Sequence, residues 1–326
     1  MQSAQISARV FDAFIAALHE RRNTARWKNI MGMIDYIQFV LAPQIINGLA
    51  LGTAVVLVAL GLTIIFGLLD VINMSHGEFY AVGAFAGLSL AATGVNFWIL
   101  IALVPILMVP LGILTERFLI RRVFDGKDRH VSTLLLTFGL SLIIEDVLKA
   151  IYGPNTHRMD APVSGALEIF GIIVPNYRLL LICVGAAIIC AVAFVTYRTR
   201  LGAVVRAAAF DRLMTSSLGV PVGWVYAGTF ALGVSLAGLA GILLAPLYSV
   251  FPTMGRDFIL LAFSVVIIGG MGSIWGAVIA GIFLTQVQAL ASLVISPVWT
   301  DPIVFGTMVA FLMFRPQGLF GRLGHA

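Results

Sequence analysis

The chain has 326 residues with 20 Lys+Arg against 15 Asp+Glu, a formal net charge of +5. Apolar residues make up 60% and charged residues 11%, where soluble domains carry about 45–50% and about 25%, and a soluble core of this length cannot hide so much apolar surface. Those values exclude an ordinary cytosolic enzyme and a disordered chain, and the excess cations never gather into the basic stripe that nucleic acid requires.

Residues 1–32 differ from the rest. Val10, Phe11, Phe14, Ile15 and Leu18 share one helical face ahead of His19, Glu20, Arg21 and Arg22, which predicts a basic amphipathic helix lying on a membrane surface. A signal peptide would place its charged end first. The competing reading is an upstream extension, with the true start at Met31 or Met33.

Residues 33–326 read as one polytopic membrane domain. Charge is missing from 36–69 (34 residues), 79–115 (37), 179–197 (19), 213–255 (43) and 258–300 (43), and about 20 apolar residues cross a bilayer as a helix. Segments 131–152 and 302–314 are nearly as apolar. An all-α bundle of about eight to nine transmembrane or re-entrant helices is expected. Recurrent small pairs, such as Gly48/Gly52, Gly83/Gly87 and Gly233/Ala237/Gly241, predict close helix packing.

The first interruption comes at 70–80, where Asn73, Ser75, His76, Glu78 and Tyr80 stand between two apolar runs. Ionisable groups at membrane depth cost about 2.5–3.5 kcal/mol each and face a cavity or a partner. A helix break would also offer its freed amides and carbonyls to a solute. These five residues are the candidate lining of a translocation path. The alternative is a solvated interfacial loop, in which they cost nothing.

Arg117, Arg121, Arg122, Lys127 and Arg129 then form a loop that should be cytoplasmic, as should Arg198, Arg200, Arg206 and Arg212. The two crossings between them, 131–152 and 179–197, satisfy parity. Residues 153–178 then lie outside and the tail from Phe314 inside. Three apolar stretches precede the first basic loop. Either the domain starts outside, or the stretch near 70–82 is re-entrant. Within the fourth span, Glu145 and Lys149 are spaced to pair near its outer end. Cys183 and Cys190 share a face about 10 Å apart along their helix, too far to bridge, and read as buried packing residues.

The run 200–223 carries Arg206, Ala207, Ala208 and Asp211 among alanines, with Gly219 and Pro221 beyond. It predicts one short cytoplasmic helix over about 202–219, either a docking knob for a soluble partner or a plain linker. Gly269, Gly270, Gly272 and Gly276 then crowd a charge-free run and predict a hinge or tight turn. No strand precedes them, so they are no dinucleotide fingerprint. His19, His76, His130, His157 and His325 are scattered, so no metal site is expected. Gly126 and Lys127 lack a phosphate-loop context, so any nucleotide-driven work falls to another chain.

Several stretches taken in order carry a resemblance: 48–53 (GLALGT), 59–67 (ALGLTIIFG), 73–80 (NMSHGEFY), 137–141 (TFGLS), 269–277 (GGMGSIWGA) and 314–321 (FRPQGLFG). From about Met33 onward the chain resembles the permease subunits of bacterial ABC importers for branched-chain amino acids, the LivH type. The resemblance implies a non-catalytic subunit of the bacterial inner membrane, without a cofactor of its own. It also implies a second related permease, two cytoplasmic ATPase subunits that bind the ATP, and a periplasmic solute-binding protein. The segment 206–219 would be the coupling helix. Related permeases serve urea, short amides and aromatic acids.

Two other classes compete. A secondary transporter or channel needs a charge relay deep in the bundle, and these spans are nearly charge-free. An intramembrane enzyme needs a nucleophile beside a base; only Ser75 and His76 are candidates, and adjacent helical residues do not face each other.

Overall fold

A computed structural model describes residues 37–123, 128–169 and 171–321. The 1–32 extension lies outside the described residues. Without water to take their backbone N–H and C=O groups, apolar runs satisfy them internally as helices. In chain order these are α1 (Ala42–Leu69), α2 (His76–Ala92), α3 (Phe97–Thr115), α4 (Arg129–Tyr152), α5 (Asn176–Arg198), α6 (Arg200–Phe210), α7 (Arg212–Ser217), α8 (Val222–Leu244), α9 (Met254–Gly269), α10 (Ile274–Ala291) and α11 (Thr300–Phe314). A hairpin of β1 (Ala166–Ile169) and β2 (Ile172–Pro175) separates α4 from α5. Six helices, α1, α3, α4, α5, α8 and α10, are long and apolar enough to cross a membrane. The shorter α2, α9 and α11 complete an all-α polytopic bundle.

Contacts fix the direction of each helix. At the basic end, Asp70 closes α1 and pairs with Arg129 at the start of α4 (2.5 Å), while Arg121 bonds the Gly223 carbonyl at the start of α8. At the opposite end, beside the hairpin, Ser89 of α2 meets Tyr152 of α4 (2.6 Å), and Tyr177 of α5 donates to the Leu243 carbonyl of α8 (2.6 Å). His157 and Val250 form a bridge there. Gln44, at the start of α1, donates to the Ala289 carbonyl at the end of α10 (2.7 Å). So α1 begins at the hairpin end and descends to the basic end. The chain then climbs through 70–75 and α2 back to the hairpin end, and α3 descends again. The stretch near 70–82 is therefore no re-entrant loop, and the parity resolves with residue 42 at the hairpin end.

Two halves repeat this plan in opposite senses. A long helix, a non-helical link and a shorter helix recur as α1, 70–75, α2 and as α8, 245–253, α9. The shorter helices meet at their first turns, Gly77 against Gly255. Similarly α3 lies on α8 through Gly112 and Ala231, and α10 lies on α1 through Gly281 and Val56. Helices α1 and α8 form the buried centre.

Two local expectations need correction. The single helix over 202–219 is two, broken at Asp211, whose backbone is extended (φ −147, ψ 106) and whose Oδ1 caps α7 by accepting from Met214 N (2.9 Å). An aspartate that can cap competes with helix continuation. Cys183 and Cys190 are exposed rather than buried. Helix α5 fully buries only Tyr177, Leu181, Gly185, Ile189 and Ala193 among its described residues, and apolar thiols suit a lipid-facing surface equally well.

The small residues do close the packing. A Cβ on Gly241 would strike the Tyr80 carbonyl and Ala84 N of α2, whereas one on Gly228, in the same helix, meets nothing within 4 Å. Gly241→Val should cost about 1–3 kcal/mol by overpacking. Gly228→Ala should be neutral or stabilising by up to about 1 kcal/mol through helix propensity. Melting of the detergent-solubilised subunit, followed by size-exclusion recovery after heating, compares the two; a G241V midpoint at or above that of G228A would contradict the packing described.

Candidate functional site

The site is built where α1 gives way to α2. Asp70 takes a left-handed conformation (φ 51) with its N–H on the Phe66 carbonyl (2.8 Å), ending α1. The link then leans on α4: Thr137 Oγ1 accepts from Met74 N (3.0 Å) and lies 3.3 Å from the Ile72 carbonyl. Asn73 Oδ1 accepts from Ser75 N (3.2 Å) and Ser75 Oγ (2.7 Å), which turns the chain into α2. Freed backbone groups are thus met by side chains rather than water, as a break at membrane depth requires.

All five residues singled out by sequence are buried here. Asn73, Ser75 and His76 are 0% exposed, Glu78 1% and Tyr80 2%, so none sits in a solvated loop. His76 Nε2 lies 3.0 Å from the Val58 carbonyl of α1. Glu78 Oε1 accepts from Ser141 of α4 (3.2 Å), and its other oxygen abuts Gly255. Tyr80 stacks on Phe258 of α9, with centroids 4.3 Å apart. Asn73 Nδ2, His76 Nδ1 and Glu78 Oε2 are buried without a protein partner among the described residues, and each such orphan costs about 1–3 kcal/mol. Serine 75 bonds Asn73 rather than His76, so the Ser–His couple needed for nucleophilic chemistry does not form.

Beside Glu78 stands a cluster that the sequence reading only half contained. Glu145, itself 3% exposed, pairs with Lys149 as expected (2.5 Å). It also pairs with Arg256 at the start of α9. Lys149 reaches Asp146 as well (3.5 Å). Arg256 and Asp257 are the only charges between Arg212 and Asp301. That isolation is the signal the sequence carries for this cluster. The side chain of Arg256 is 58% exposed, on a bundle face between α4 and α9. A cation there needs water or protein opposite it, since lipid would be costly.

The glycine turn lies elsewhere. Gly270 (φ +93) and Gly272 (φ +82) adopt conformations that favour glycine, Ser273 caps α10 by accepting from Gly276 N (3.1 Å), and Gly269 packs on Gly276. The C-terminal stretch closes the turn: Leu319 N donates to the Ile268 carbonyl (2.7 Å) and Phe320 N to that of Gly269 (3.1 Å). Fourteen residues of α9 separate Gly255 from Gly269, about 21 Å at 1.5 Å per residue. This is a tight turn at the basic end, against Gly67 near the end of α1 and apart from Glu78.

The third group lies beneath the basic end. Ala208 is buried, Arg206 bonds the Thr196 carbonyl, and Ala207 and Asp211 are exposed. Gly219 (φ +84) closes the segment with its N–H on the Ser216 carbonyl (2.9 Å). Sequence reasoning missed the apolar surface at the bend: Phe210 is 89% exposed, and Leu213, Met214 and Leu218 are also open.

The profile of the family described as "Branched-chain amino acid transport system / permease component" matches residues 44–313. The chain belongs to this family. The permease is 30% identical over 295 residues to the high-affinity branched-chain amino acid transport system permease protein LivH of Salmonella typhimurium, covering 86% of this chain and 95% of that one. It is 29% identical over 296 residues to BraD of Pseudomonas aeruginosa, a permease protein of the same description, with the same coverage. LivM of Escherichia coli, a second permease protein of that system, is 24% identical over 290 residues, covering 81% of this chain and 67% of LivM. No solved structure matches the chain.

The paired charges of the permease give a stability test. Glu145→Ala strips Lys149 and Arg256 of their shared carboxylate and should cost about 1–3 kcal/mol. Arg256→Gln leaves Glu145 with Lys149 and should cost less. Thermal unfolding of the purified subunit, read by tryptophan fluorescence, orders the two; equal midpoints would contradict a shared carboxylate.

Proposed function

We propose that this permease forms the translocation path for branched-chain amino acids in an ATP-driven importer of the bacterial inner membrane. It pairs there with a second related permease, two cytoplasmic ATPase subunits that bind the ATP, and a periplasmic solute-binding protein. The basic end faces the cytoplasm, in keeping with its Lys and Arg loops, and the hairpin end faces the periplasm. One observation carries the reading: within a permease-family bundle, the break at 70–75 and the first turns of α2 pack ionisable and amide groups at membrane depth with hydrogen-bonding capacity left unspent.

In this reading Asn73, Ser75, His76, Glu78 and Tyr80 line the path, and it is shut in the conformation described. A zwitterionic solute needs polar groups to replace its water, and the break supplies them. Helices α6 and α7 act as the coupling element. Their bend presents Phe210, Leu213, Met214 and Leu218 outward, an apolar patch of the kind that docks into a partner. Gly269, Gly270 and Gly272 hold the α9–α10 turn against which that element could move.

Single cysteines at Asn73 or Ser75 should be unreactive toward a water-soluble thiol reagent in the resting importer and should become reactive when ATP is trapped. The background must lack Cys183 and Cys190, which are exposed. Equal reactivity in every state would remove these residues from the path. Inserting two glycines after Ala209 should abolish both leucine transport and stimulated ATP hydrolysis while membrane insertion persists; unchanged transport would remove the coupling role. Uptake of radiolabelled leucine, urea and an aromatic acid by the reconstituted importer decides the substrate. Full activity of this chain alone in vesicles would make it a secondary transporter or channel.

A further inference from the structure

The meeting of α2 and α9 sets the depth of the charges on the outer side of α9. Gly77 and Gly255 touch where the first turns of these two helices come together. From Gly77 up to Ala92, toward the hairpin end, runs fifteen residues of α2, about 22 Å at 1.5 Å per residue. From Gly255 down to the turn at the basic end is about 21 Å. The contact therefore lies near mid-height of the bundle, and the apolar core of a bilayer is about 30 Å thick. Arg256 is the next residue.

Arg256, Asp257 and Leu260 are all exposed and share one side of α9, spaced i, i+1 and i+4. Glu145 of α4 takes an N–H of Arg256 and also holds Lys149, whose second neighbour, Asp146, is open. A guanidinium carries five donors. Its tether to Glu145 keeps Arg256 at this depth, so it does not snorkel to the headgroups. Lipid tails supply no acceptor for its remaining N–H groups and no counter-charge for Asp257. Whatever covers this side must bring polar groups to the middle of the membrane. In the importer proposed above, the ATPases and the solute-binding protein lie outside the bilayer. Only the second permease reaches this depth.

We propose that the α4–α9 side bearing Arg256, Asp257 and Leu260 is the docking surface for the second permease. That partner presents a hydrogen-bond acceptor to Arg256 and a donor to Asp257, and Leu260 packs against its apolar surface. The inference rests on the proposed function for the existence of the partner; the side that the partner covers follows from the exposed charges at mid-depth.

Photo-crosslinking tests it in membranes that carry the intact importer, with different epitope tags on this chain and on the second permease. The photoreactive p-benzoylphenylalanine replaces Leu260 or, for comparison, Ile106 of α3 or Phe194 of α5, which are exposed on other helices. Irradiation should join the second permease to position 260 at least tenfold more than to 106 or 194. Arg256→Leu should lower retention of the tagged second permease at least tenfold, and Arg256→Lys should keep most of it, with both isolated subunits eluting at the wild-type volume. Adducts with the second permease from 106 or 194 and none from 260 would overturn this surface and leave the pairing standing. Adducts at 260 between two copies of this chain would assign the side to self-association and overturn the proposal, as would adducts to lipid alone. Purification of an active importer that contains no second permease would overturn the proposed pairing, and this inference with it.

Discussion

A chain inside a bilayer can leave the helix only where protein, not water, meets its backbone polar groups. The interruption of the permease at 70–75 obeys this rule. At 70–75 the carbonyl of Ile72 and the N–H of Met74 turn to Thr137 on α4, and Asn73 holds the turn from within. At the start of α9 the backbone is brought against α2 so closely that only glycine fits on either side, at Gly77 and Gly255. The rest of the interior is arranged around that meeting point. Helices α1 and α8 flank it, and Glu78 and Arg256 each stand one residue beyond the touching glycines.

This placement explains how a nearly charge-free bundle keeps charge at depth. Glu145 is held by two cations from different elements, Lys149 on its own helix and Arg256 across the gap. Together they let α4, otherwise loosely attached, lean on the α2–α9 pair. The orphaned atoms of Asn73, His76 and Glu78 are a different matter. They lower stability without a structural return in the arrangement described, a cost that the proposed path would account for.

The sequence carried the architecture well, because its signals were runs. Long charge-free stretches specify helices through backbone satisfaction alone, and the polar group at 73–80 and the glycines at 269–272 marked the interruptions by composition. What was lost was facing. Cys183 and Cys190 sit on an apolar helix whose inner and outer faces have similar chemistry, so nothing in the residues distinguished bundle from lipid. Asp211 looked like one charge in a helical run, and only its extended backbone shows that it starts a second helix. Arg256 needed its partner, Glu145, 111 positions earlier. A pairing at that separation leaves no local pattern.

The closure of the glycine turn by the chain's last described stretch has a consequence for biosynthesis. Leu319 and Phe320 meet carbonyls of Ile268 and Gly269 that belong to α9, yet they leave the ribosome some fifty residues later. The α9–α10 hairpin therefore inserts with its turn unsealed, and the seal forms only once Leu319 and Phe320 have been made. A chain that lacks these residues keeps all the described helices but an open turn, which quality control can distinguish from the sealed form.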